Sequence, residues 1–114
     1  MKSEVLAHLS AFNDPREGVR LFAARKLASY GASVAPTLIQ LLKEEHGFTR
    51  DCASVALHTM GEAAIPFLLD AMKADDRVIR WQAAAVLSSM GESARKAIDS
   101  DPKLSPATHE EVKL

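Results

Sequence analysis

Apolar residues recur along this chain in short helical stripes, each broken at a glycine and, in the first two cases, resumed near a proline. Val19, Ala23, Leu27 and Tyr30 share one face at about 100° per residue. The sets Thr49, Ala53, Leu57, Met60 and Ile79, Ala83, Leu87, Met90 repeat that face. After each stripe comes Gly31, Gly61 or Gly91, thirty residues apart, and the neighbouring positions keep the same register. Arg20/Arg50/Arg80, Ala23/Ala53/Ala83, Leu27/Leu57/Leu87 and Lys43/Lys73/Lys103 are likewise identical in all three copies. The pattern predicts a helix, a glycine turn in the left-handed region and a second helix in every unit.

The second helices are predicted to bury Ala35, Leu38, Ile39 and Leu42, then Ile65, Leu68, Leu69 and Met72. Pro36 and Pro66 fall in their first turns, where a missing N–H costs little, and Ser33 and Ser93 stand where an N-cap is wanted. The segment before Asp14 aligns with a second helix, placing Val5, Leu9 and Phe12 opposite Ala35, Ile39 and Leu42. The expected organisation is one all-α domain of seven helices. It divides into a half unit (1–13), three full units (14–43, 44–73, 74–103) and a tail (104–114). Unit three departs most, with Arg95, Asp99 and Pro102 where its predecessors are apolar, which predicts a short, frayed second helix ending near Ser100. The tail sequence HEEVKL matches REGVRL of unit one, so it reads as a short closing helix or as the opening of a fourth unit.

The pattern D-P-x-x-x-V-R-x-x-A-A-x-x-L-x-x-x-G, then A-x-P-x-L-x-x-L-L, resembles the HEAT-like repeat of the phycobilisome-lyase type. Asp14, Pro15, Val19, Arg20, Ala23, Ala24, Leu27, Gly31, Ala35, Pro36, Leu38, Leu41 and Leu42 carry it. The resemblance implies a right-handed α-solenoid, or α-α superhelix, whose second helices line the concave surface. It also implies a range of uses: scaffolds, chromophore-lyase subunits and accessory domains of enzymes.

Composition narrows these. A chain of 114 residues, 47% apolar and 25% charged, suffices for one modest core. Fourteen Lys and Arg against fifteen Asp and Glu leave a net charge of −1, which supplies no field for nucleic acid or anionic membrane. With Cys52 alone no internal disulfide can form, and a reducing, cytoplasmic setting is expected. Glu4, His8 and Ser10 interrupt the first apolar run, unlike a signal peptide, and no membrane span is expected.

Catalytic chemistry has no candidate constellation. Cys52 and His58 lie six residues apart, about 120° around a helix, so they do not converge as nucleophile and base. The four histidines show no metal-ligand spacing, and neither metal nor cofactor is expected. Surfaces are the better candidates. Thr37, Gln40, Lys43, Phe67, Asp70 and Lys73 turn away from the core stripe of the second helices and form the expected partner-binding face, with Phe67 as anchor or else leaning into a neighbouring helix. Val78, Trp81 and Ala85 form a convex contact on the first helix of unit three, open to the tail, a second copy or a partner. A homodimer through the Trp81 face or the open solenoid end is one such occupant. The ladder Arg20/Arg50/Arg80 is expected to be structural, pairing with nearby acids and capping carbonyls between units. The functional expectation is a non-enzymatic scaffold module binding a protein. An accessory part of a tetrapyrrole lyase is the alternative, and nucleic-acid binding a weaker third.

Overall fold

The structure is a computed structural model that describes residues 2–45 and 47–104. Seven α-helices occur among the described residues, with no strand: α1 (Ser3–Ser10), α2 (Glu17–Ala28), α3 (Ala35–Leu41), α4 (Thr49–Met60), α5 (Ile65–Ala71), α6 (Arg77–Ser89) and α7 (Glu92–Ser100). After α1 the pairs α2/α3, α4/α5 and α6/α7 follow the thirty-residue register. They stack side by side into a body of 51 × 25 × 24 Å, about twice as long as it is wide. The fold is an α-solenoid. The tail beyond Leu104, with its expected Ser105-Pro106 start of a helix and its HEEVKL match, lies outside the described residues.

One continuous core runs from Val5 to Ala94. Phe12, Leu27, Leu38, Leu42, Leu57, Leu68 and Leu87 are its largest fully buried side chains, at the same register positions unit after unit. Ala23, Ala53 and Ala83 are buried on the first helices, where a small side chain lets neighbouring backbones approach. Thr49–Ala71 contains a window of mean hydropathy 1.4, so by length and composition it could cross a membrane, contrary to the sequence expectation. In the fold it is no single rod, because the chain reverses at Gly61 and the apolar faces of α4 and α5 pack into the core.

The glycine turns depart from a left-handed cap. Gly61 has φ 69°, ψ −139° and Gly91 has φ 79°, ψ −142°, in a region that is essentially open to glycine alone. After Gly31 and Gly61 the chain runs through 3-10 turns, Gly31–Ser33 and Gly61–Ala64, before the second helix begins. Pro36 and Pro66 explain them: lacking an N–H, they cannot close an α-helical turn onto the residue four positions back.

Unit three has Lys96 at that position, so α7 starts directly after Gly91, with Arg95 N–H bonded to Gly91 O at 3.1 Å. It does end at Ser100, but its nine residues exceed the seven of α3 and of α5, so it is not short. Its core contacts come from Ala94 with half-buried Ala97 and Ile98, while Arg95 and Asp99 are exposed. The serine caps are also corrected. Ser33 donates from its hydroxyl to Tyr30 O at 3.0 Å, and Ser93 lies inside α7. Among the described residues the helix capped by its own N-cap side chain is α6, where Asp76 accepts from Ile79 N–H at 3.1 Å.

Candidate functional site

The arginine ladder lies at the seams. Arg20 donates to Asp14 O at 2.8 Å, Arg50 to Leu42 O at 3.0 Å, and Arg80 to Ala74 O and Asp75 O at 2.8 and 2.9 Å. Each guanidinium thus reaches back to carbonyls at the end of the preceding helical segment, the negative end of its dipole. Arg20 also stacks forward over the Phe48 ring, 3.6 Å from its centroid. The expected pairing with acidic side chains is absent among the described residues. The Asp14 carboxylate is taken instead by Arg16, which donates from its side chain and its backbone N–H at 2.8–2.9 Å and lowers the Asp14 pKa to about 2.

Cys52 and His58 are not brought together. Cys52 is buried at the α2–α4 seam, its Sγ 3.9 Å from Phe12 O, and burial pushes its thiol pKa up. His58 is exposed and pairs through Nδ1 with Ser89 Oγ at 2.9 Å. On the first-helix side Trp81 is 66% exposed, with the Arg77 guanidinium 5.7 Å from its ring, while Val78 is half-buried and Ala85 exposed.

The second-helix side carries two grooves, one on each flank of α3. The first, about 420 Å³, is lined by Leu9, Asn13, Thr37, Leu41, Glu44 and Thr49. The second, about 260 Å³, lies between α3 and α5. Ile39, Ala71 and Ile79 make its apolar floor, and Gln40, Phe67 and Asp70 line it above. Phe67 is half-buried: it packs on the core and still presents a face to the groove.

Of the sequence-expected face, Thr37, Gln40, Phe67 and Asp70 therefore line grooves. Lys43 is exposed beyond the end of α3, outside both linings. Lys73 is not a free rim cation, because its Nζ lies 2.6 Å from Asp101 Oδ2. That contact lowers the Asp101 pKa, chiefly through the side-chain hydrogen bond. The residues missed by sequence reasoning are the groove floors and Asp101. Reading the flanks of the second helices in the thirty-residue register, and not only their outward tops, would have found the floors; Asp101 lies just past α7, where no such reading reaches.

No curated protein matches the chain. A sequence model of HEAT repeats matches residues 5–88, most of the chain and all of the first two units. HEAT repeats generally mediate protein–protein interaction. Repeat register, helix-pair stacking and this match agree, and the chain belongs to the HEAT-repeat family.

Proposed function

We propose that the chain is a non-enzymatic interaction module that takes a protein partner on its second-helix face, the concave side in the geometry its family implies. The observation carrying this reading is the pair of open grooves flanking α3, whose apolar floors sit beneath polar and aromatic rims. Such surfaces are where a buried anchor ringed by polar contacts gives affinity. Cys52, buried and held as a thiol, fits a cytoplasmic setting. The test is retrieval of partners by immobilised wild type against Phe67→Ala and Asp70→Lys, with folding checked by circular dichroism. A partner lost with both variants supports the face, whereas one retained equally by both removes it.

The unit-one motif Asp14-Pro15 through Leu42 supports a second reading, an accessory role beside a tetrapyrrole-handling enzyme. A visible absorbance shift on mixing the protein with a bilin is its expected signature, and an unchanged spectrum rejects it.

A further inference from the structure

The two grooves are one surface repeated. Adding thirty to Leu9, Thr37 and Leu41 of the first gives Ile39, Phe67 and Ala71 of the second, and Thr49 likewise gives Ile79 at the floor. Each open copy also holds one carboxylate, Glu44 in the first and Asp70 in the second. Among the described residues neither has a salt-bridge partner.

The third copy, between α5 and α7, is different. Its register positions matching Asn13 and Leu41 are Lys73 and Asp101, and these form a 2.6 Å ion pair. The chain thus seats an ammonium on a carboxylate once along this helix edge, while Glu44 and Asp70 stand at other register positions of the two open grooves. Lys43, exposed just past the end of α3, lines neither groove.

Spacing decides the shape of the occupant. Neighbouring helices pack about 8–10 Å apart. Two turns of a helix advance about 11 Å, so residues seven apart on a single helix reach two adjacent grooves. We propose that the two open grooves bind one basic amphipathic α-helix of a protein partner. Its apolar side chains enter the Leu9–Leu41 and Ile39–Ala71 floors, and its lysines or arginines meet Glu44 and Asp70. This rests on the second-helix-face reading and adds the charge and the form of what docks there.

The test uses the described protein and a fluorescein-labelled helical peptide carrying leucines two turns apart, each with a lysine one turn further on. A control peptide has glutamate for every lysine. The basic peptide is expected to bind, by fluorescence anisotropy, about tenfold more tightly than the acidic one. Glu44→Gln and Asp70→Asn, both at exposed positions, are each expected to weaken it about threefold, and rising salt to weaken it further. Equal binding of the two peptides, no binding of either, or indifference to both carboxylate variants overturns the proposal. Acidic-peptide binding that is lost in Phe67→Ala overturns the basic-helix inference and leaves the second-helix face standing. Binding that neither Phe67→Ala nor Asp70→Asn alters overturns both.

Discussion

Replacing Gly61 by alanine isolates the cost of one backbone conformation. A Cβ built there meets no atom within 4 Å, so no steric clash with the rest of the fold contributes. What changes is the local dihedral energy at φ 69°, ψ −139°, where a side chain costs about 1–3 kcal/mol. Alanine also restricts the unfolded chain, which returns about 0.4–1 kcal/mol, so the net destabilisation should be about 1–2 kcal/mol. For a chain of this size that is a fall in Tm of about 4–8 °C. Gly18 is the internal control. It lies in the first turn of α2, has no atom within 4 Å of its added Cβ and carries no positive φ, so Gly18→Ala should stabilise by about 0.5 kcal/mol. Urea titration followed by circular dichroism measures both, with the slope m checked for constancy. Gly61→Ala with wild-type stability and an unchanged m would refute the backbone argument, as would a loss of equal size from Gly18→Ala.

Further outcomes follow from contacts already described. A double-mutant cycle of Arg20→Lys and Phe48→Ala should give a coupling of about 0.5–1 kcal/mol, and zero coupling would show the 3.6 Å stack to be incidental. Trp81→Ser should leave stability within about 0.5 kcal/mol of wild type, and a larger loss would place the ring in the core. The carboxylates of Asp14 and Asp101 are held below their ordinary value, so the stability they confer is present above about pH 4 and lost as pH falls, for Asp14 through about 2. Lys73→Met, which removes the partner of Asp101, should therefore flatten the fall in urea midpoint across that range; an unchanged fall would deny the ion pair any part in it.

Much of the architecture was legible because every unit must bury the same stripe against its neighbours. Val5, Leu27, Leu57 and Leu87 could be placed in the core from spacing alone, and the glycines located the turns. The 3-10 turns and the length of α7 were not legible in the same way. They depend on which N–H groups remain available around Pro36, Pro66 and Lys96, a matter of hydrogen-bond closure that periodicity does not encode. The candidate site was legible as a face but not as grooves. Phe67 and Asp70 stand out as single residues, whereas Ile39 and Ala71 look like ordinary core positions until α3 and α5 are set side by side. The Lys73–Asp101 contact spans 28 residues and joins two positions that no local pattern connects.

Arg20 fastens α2 on both sides with one side chain, backward to the Asp14 carbonyl and forward to the Phe48 ring. At the next seam the register partner of Phe48 is Val78, which offers a guanidinium no ring face to stack on. In a stack held by nearest-neighbour contacts, unzipping starts where one link is weaker than the rest. Amide hydrogens of α6 and α7 should therefore exchange before those of α2 and α4, and the molecule should open as a sequence of leaves from its C-terminal end.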